Sequence, residues 1–210
     1  MSEILFIRHA ETDMAGTFCG HSDPQLNAQG RVQLAELIKR LRAENFGAVY
    51  SSDLRRARET GLALAEDFMI KCHVRPALRE IDFGRWEGLR WEEVEQLDEI
   101  FARRWVVEYP HLPAPDGEDF DAFERRVLGE VKFLSLEAEN AERKIAVVTH
   151  AGVLRTILCS LRGRSREDAW EQTKSYCSVV RYAIPPLASL SGQAGEMRID
   201  QSCESSLELR

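Results

Sequence analysis

Two histidines and two arginines each follow a segment that reads as a buried strand. His9 comes just after Ile4-Leu5-Phe6-Ile7, and His150 comes directly after Ile145-Ala146-Val147-Val148-Thr149. An imidazole can attack an electrophile through a neutral ring nitrogen, and a guanidinium can grip an oxyanion with two parallel donors. Arg8 adjoins His9, and Arg56 falls in the first turn of a helix predicted after Ala48-Val49-Tyr50. Singly, each has a plainer reading. A lone histidine after a strand is usually structural, and Arg56, between Arg55 and Arg58, would belong to a solvated helix face. Jointly they are hard to assemble by accident, because ligands of open α/β sheets gather beyond the carboxyl ends of the strands. The helix starts after Tyr50 and after His150 add backbone N–H groups and positive dipole ends. The pattern predicts one basic hole able to hold a dianion.

Those residues need a scaffold, and the apolar patterning describes one. Residues 4–7, 48–50 and 145–149 read as core strands, with Cys72-His73-Val74 a shorter third strand in chain order. A Gly/Asp/Pro/Asn-containing loop runs from about Asp13 to Asn27, and Asn27 is placed to cap a helix carrying Leu34, Leu37, Ile38 and Leu41. Ser51-Ser52 is expected to cap the next helix, striped by Leu54, Ala57, Gly61, Leu64, Ala65 and Phe68. Phe120, Phe123, Val127, Val131 and Leu134 stripe a helix beginning near Glu118, and another runs from Val153 to Leu161. Ser178–Ile184 and Met197–Ile199 read as weaker late strands, and the tail from Ser202 as polar. Strands alternating with helices predict an α/β fold: a three-layer α/β/α sandwich with a mostly parallel central sheet. Residues 1–210 are expected to form a single domain. Its irregular stretch, about 86–117, would be a lid inserted over the C-terminal edge of the sheet.

Composition limits the function classes. With 44% hydrophobic and 30% charged residues, the 210-residue chain has ordinary globular composition and can bury a core without disulfides or metals. A net charge of -7 argues against nucleic acid or an anionic membrane as partner, so a site for an anion must concentrate its positive charge locally. The five cysteines are an odd number without a CxxC pair, and the five histidines lack HxxxH or HExxH spacing. No disulfide framework, metal or cofactor is therefore expected, and a reducing cytoplasm is the simplest location. Neither a signal peptide nor a bilayer-spanning segment is predicted.

Five blocks in order resemble the histidine phosphatase superfamily, also called phosphoglycerate mutase-like. They are Arg8-His9-Ala10-Glu11-Thr12, then Ser52-Asp53-Leu54-Arg55-Arg56-Ala57-Arg58-Glu59-Thr60, then Leu78-Arg79-Glu80-Ile81-Asp82-Phe83-Gly84-Arg85-Trp86-Glu87-Gly88. Pro115-Asp116-Gly117-Glu118 and Thr149-His150-Ala151-Gly152-Val153 complete the set. The resemblance implies that His9 is a nucleophile that becomes phosphohistidine, that Arg8, Arg56 and His150 complete a phosphate pocket, and that Glu80 is the proton donor. Position alone does not separate Glu80 from Asp82 and Glu87; the resemblance selects Glu80, with Asp82 as the alternative. Arg8 and Arg56 should hold the His9 pKa down and favour the neutral ring. Glu11 is expected to hold the arginines, and Trp86 and Trp91 to pack within the lid.

Some positions depart from the family pattern. Ala10 stands where the family has Gly, a small change unless the backbone there needs positive φ. The family's phosphate-contacting Asn has no counterpart in Asp13-Met14-Ala15, so backbone around Cys19, Gly20 and His21 is expected to supply that contact, with Ala151 beside His150 completing the substrate-binding set. Phe83-Gly84-Arg85-Trp86-Glu87-Gly88 and the absence of extra sequence mid-chain look like the phosphatase branch. Gly20-His21 and the surroundings of Pro115–Glu118 are similar to α-ribazole phosphatases. The implied activity is metal-independent hydrolysis of a small phosphorylated metabolite, with α-ribazole 5'-phosphate as candidate. The rivals are a cofactor-dependent phosphoglycerate mutase and a broad-specificity or fructose-bisphosphatase-like sugar phosphatase. A catalytically inert binding module is disfavoured because His9, Arg56, Glu80 and His150 are all kept. A monomer or homodimer is expected.

Overall fold

Alternation along the strands sorts the core into two faces of one sheet. Strand β1 (Glu3–Arg8) sends Ile4 and Phe6 into one apolar cluster and Leu5 and Ile7 into another. Strand β4 (Lys144–Thr149) divides Ile145 and Val147 from Ala146 and Val148 in the same way. Successive side chains of a strand point to opposite faces, so a strand covered on both sides reads as a continuous apolar run. The computed structural model describes residues 3–140 and 143–184. The expected strand Met197–Ile199 and the tail from Ser202 lie outside the described residues.

With β2 (Phe46–Ser51), β3 (Cys72–Val74) and β5 (Val179–Ala183), the sheet runs in the order β3-β2-β4-β1-β5. Every neighbouring pair is parallel except β1 with β5. Helices α1 (Ala28–Leu41) and α2 (Arg55–Asp67) cover the Leu5/Ile7 face through Leu37, Leu41, Ala57 and Leu64. Helix α5 (Phe120–Asn140) covers the other face through Phe123, Val127, Val131 and Leu134; α6 (Ala151–Thr156) and α7 (Arg166–Thr173) join it there. The result is the expected α/β/α sandwich.

Two local expectations change. Asn27 caps α1 as expected, accepting the Gly30 N–H at 2.7 Å. Ser51-Ser52 does not cap α2 in the expected way. Ser51 ends β2, Leu54 holds the cap position, and Ser52 Oγ accepts only the Leu54 N–H at 3.3 Å. The helix expected over 153–161 starts earlier, at Ala151, and finishes as a π-helical turn, Ile157–Leu161.

The stretch expected to be irregular holds two further helices, α3 (Trp91–Leu97) and α4 (Glu99–Glu108), with Asp98 accepting the Phe101 N–H between them. They have a separate small core of Trp86, Val94, Ala102 and Ala114, bordered by Phe18, Trp91 and Trp105. Phe18 belongs to the loop that follows β1, which fastens this segment beyond the C-terminal end of the sheet. Trp86 is buried against Phe18, Phe101 and Trp105. Among the described residues no helix is long and apolar enough to cross a membrane.

Candidate active site

Strand register brings the two histidines together. Arg8 and Thr149 are the last paired residues of β1 and β4, and the His9 N–H donates to Thr149 O at 2.9 Å. Parallel strands in step deliver whatever follows them to the same place, and the His9 and His150 rings lie 5.1 Å apart between centroids. β2 ends beside β4, with Ser51 opposite Val148 and the Ser52 N–H donating to Val148 O at 3.0 Å. That seats Ser52 Oγ 3.0 Å from His150 Nε2.

Neighbouring acceptors fix which nitrogen of His9 is free. Its Nδ1 lies 2.7 Å from Ala10 O, and a carbonyl oxygen only accepts, so Nδ1 carries the hydrogen. The lone pair is therefore on Nε2, where the Arg56 Nε–H donates to it at 3.2 Å. Burial pushes the His9 pKa well below 6.5, and the charges of Arg56 and then Arg8 push it further in the same direction. His150 is depressed in the same way, first by burial and then by Arg56, His9 and Arg8. Both rings are neutral at neutral pH, as the adjacent arginines led us to expect for His9.

Arg56 is wholly buried on the inner face of α2. Its Nη1 donates to Ser22 O at 2.6 Å, and its Nη2 donates to Cys19 O at 3.0 Å and Gly20 O at 2.7 Å. That loop is anchored by Glu87, whose carboxylate accepts the N–H groups of Gly20, His21, Ser22 and Phe83 at 2.8–3.1 Å. Burial alone would raise the Glu87 pKa; hydrogen bonds from Ser22, Phe83 and His21 outweigh it and leave the carboxyl below its usual value. A Cβ on Gly20 would stand 2.1 Å from Ile81 O, so only glycine fits. The amides of Gly20 and His21 thus face Glu87, and the carbonyls of Cys19 and Gly20 hold Arg56.

Glu80 is buried, with Oε1 accepting the Ile81 N–H at 3.0 Å and Oε2 the Gly152 N–H at 2.9 Å. Arg126 clamps the backbone beneath it, donating to Arg79 O at 2.7 Å and Glu80 O at 2.9 Å while paired with Glu118 at 2.7 Å. Asp82 instead accepts the Gly84 N–H and faces His21 Nδ1 at 3.3 Å. Arg8 donates to Thr173 O at 3.0 Å and Lys174 O at 2.6 Å, with its guanidinium 4.1 Å from the centre of the Tyr176 ring. Ala151 opens α6 directly behind His150.

Other readings change. Glu11 does not hold the arginines: its carboxylate accepts from Asn27 Nδ2 at 3.2 Å and Gln33 Nε2 at 3.0 Å, which pins the start of α1. Ala10 is not among the positive-φ residues, so replacing the family's Gly introduces no strain. Ser52, Arg126, Arg155, Thr173 and Tyr176 escaped sequence reasoning. For Arg155 a signal existed, since it lies one helical turn beyond Gly152.

A neutral histidine at the carboxyl edge of a parallel sheet, ringed by arginines, now meets an independent observation. The family model of the histidine phosphatase superfamily (branch 1) matches residues 4–186. The chain belongs to that superfamily. This histidine phosphatase is 31% identical over 173 residues to phosphoserine phosphatase 1 of Hydrogenobacter thermophilus, covering 81% of each chain. It is 32% identical over 170 residues to the adenosylcobalamin/alpha-ribazole phosphatase of Escherichia coli, covering 80% of this chain and 82% of that one. Among solved structures, the alpha-ribazole phosphatase of Shigella flexneri superposes with a TM-score of 0.77 at 29% identity, covering 88% of this histidine phosphatase and 91% of that chain.

Proposed function

We propose that this phosphatase hydrolyses a phosphomonoester of a small metabolite through a phosphohistidine on His9 Nε2. One observation carries the reading. Among the described residues four buried side-chain atoms have no hydrogen-bond partner, and two of them, Arg8 Nε and His150 Nδ1, belong to residues beside His9. Buried polar atoms are nearly always paired, and a dianion arriving beside His9 supplies acceptors for them.

In the first half-reaction His9 Nε2 attacks phosphorus as the P–O bond to the alcohol breaks. The bonding pair leaves on the alcohol oxygen, and the Glu80 carboxyl gives that oxygen a proton. Charge on the equatorial oxygens is held by Arg56, Arg8 and His150. A phosphoryl group is a stronger acceptor than a neutral imidazole, so it draws the Arg56 Nε–H away and frees the Nε2 lone pair. In the second half-reaction Glu80 takes a proton from water, the water oxygen bonds to phosphorus, and the P–N pair returns to Nε2. Cys19 and Gly20 serve this chemistry by seating Arg56 through their carbonyls, His21 by fastening that loop to Glu87, and Ala151 by starting the helix behind His150.

The names of the two relatives suggest α-ribazole 5'-phosphate and phosphoserine as substrates to test. Brief incubation with a labelled phosphomonoester is expected to leave acid-labile label on the protein and release inorganic phosphate. His9→Ala is expected to lose both while remaining folded. Undiminished label on the variant would overturn the assignment of His9, and transfer of the phosphoryl group between positions of a sugar acid, without release, would favour the mutase chemistry.

A further inference from the structure

Arg155 has no part in the mechanism above, yet it is built into the same wall. Its Nε–H donates to Thr173 Oγ1 at 3.1 Å, and its guanidinium lies 4.0 Å over the Trp170 ring, which together fix its plane. Neither Nη group has a protein acceptor among the described residues. Arg8 donates to the carbonyl of the same Thr173 at 3.0 Å, so two guanidiniums are fastened to one residue. Glu80 is near enough to act on the ionisation of Arg155, whose pKa burial lowers and Glu80 partly restores, but the two form no ion pair. Both Glu80 oxygens are held by the Ile81 and Gly152 amides. The guanidinium is half-buried with its plane fixed, and its two NH2 groups, four N–H donors in a planar fork, are left free to meet an anion.

We propose that Arg155 is a specificity-determining residue that receives a carboxylate carried by the substrate's leaving group. The placement follows from α6: Arg155 is one turn beyond Gly152, the residue that holds Glu80, so the anion it meets sits beside the oxygen that Glu80 protonates. One guanidinium balances one negative charge, and its planar fork matches the two carboxylate oxygens. The substrate class is thus a phosphomonoester of a hydroxy or amino acid. The proposal rests on the roles given above to His9 and Glu80.

The test compares O-phospho-L-serine with O-phosphoethanolamine, which differs by loss of the carboxylate, and uses an aryl phosphate as reference. The wild-type enzyme is expected to prefer phosphoserine in kcat/KM. Arg155→Gln should lower kcat/KM for phosphoserine about tenfold more than for phosphoethanolamine, chiefly through KM, and Arg155→Lys should recover part of the difference. Equal losses on the two substrates, in both variants, would overturn the assignment. So would a selective loss on fructose 1,6-bisphosphate against fructose 6-phosphate with none on the serine pair, which would make the anion a second phosphate. Absence of His9-dependent phosphate release from the aryl phosphate would instead remove the underlying reading. Release with unchanged selectivity removes only the carboxylate.

Discussion

Gly152 gives its backbone N–H to Glu80 Oε2 at 2.9 Å, and a Cβ on Gly152 would stand 2.2 Å from Glu80 Oε1. The clash falls on the far end of a side chain, so Gly152→Ala would swing the carboxylate away and leave the fold intact. Alanine in place of a helical glycine adds up to about 1 kcal/mol of stability. General acid catalysis is worth roughly 10²–10⁴-fold. We expect the variant to melt no lower than its parent and to lose about a hundredfold in kcat on alkyl phosphates, with a smaller loss on aryl phosphates that leave without a proton. Glu80→Ala should show the same leaving-group dependence. A Gly152→Ala enzyme with full activity on alkyl phosphates would show that Glu80 does not act from this seat.

Glu87 holds four backbone amides, and the loop it fastens holds Arg56. Replacing it by Gln keeps the shape but removes the charge and turns an NH2 group toward donors. Charge-assisted hydrogen bonds are worth roughly 1.5–3 kcal/mol each when net effects are measured, so a loss of about 2–3 kcal/mol in unfolding free energy is expected. kcat/KM should fall with it, because Cys19 O, Gly20 O and Ser22 O no longer fix the guanidinium. Denaturant titration reads the first effect and steady-state kinetics the second. Unchanged stability in Glu87→Gln would mean that the loop is held by something else.

The depressed histidines give stability a direction in pH. His9 and His150 stay neutral in the fold at pH values where the unfolded chain, with a pKa near 6.5, takes up protons. Their contribution is therefore complete above about pH 6.5 and is lost as pH falls below it toward the folded values. Each adds a slope of up to about 1.4 kcal/mol per pH unit in that window. Glu87, depressed from 4.5, adds a further loss below that value. We expect unfolding free energy to drop between pH 7 and pH 5, and His150→Gln to remove part of the slope. A profile as steep in the variant as in the parent would count against a buried neutral His150.

Much of this architecture is legible in the sequence because the central strands are buried on both faces. Ile4–Ile7 and Ile145–Thr149 advertise themselves as unbroken apolar runs, and His9 and His150 stand out by following them. Their contact is not legible, because it depends on the register that pairs Arg8 with Thr149. Helices α3 and α4 are not legible for a different reason. Their apolar residues divide between a small private core and solvent, with Leu97 at 69% and Ile100 at 83% exposure, so no single stripe forms. The partners of Glu11 are not legible because α1 brings Asn27 and Gln33 to it, and those of Arg155 are not because Thr173 and Trp170 arrive from α7. Side-chain partners across tertiary distance leave no periodic trace.

One pair far from the chemistry tests the energetics of the scaffold. Arg75 binds Glu130 through two hydrogen bonds, Nε to Oε1 at 2.7 Å and Nη2 to Oε2 at 3.0 Å, and its guanidinium also lies 4.0 Å over Phe133. The Glu130 side chain is only 4% exposed, whereas that of Arg75 is 35% exposed. Removing the arginine strands a buried carboxylate, a loss of roughly 3–5 kcal/mol for fully buried pairs, and the partial exposure of Arg75 points to the lower end. Arg75→Met is therefore expected to destabilise by about 3 kcal/mol. Adding Glu130→Leu removes the stranded charge and should restore most of that loss, because a buried ion pair is rarely worth more than the apolar contact that replaces it. A double-mutant cycle by denaturant unfolding measures the coupling. Additive losses in the double variant would mean that Glu130 finds water or another donor once Arg75 is gone.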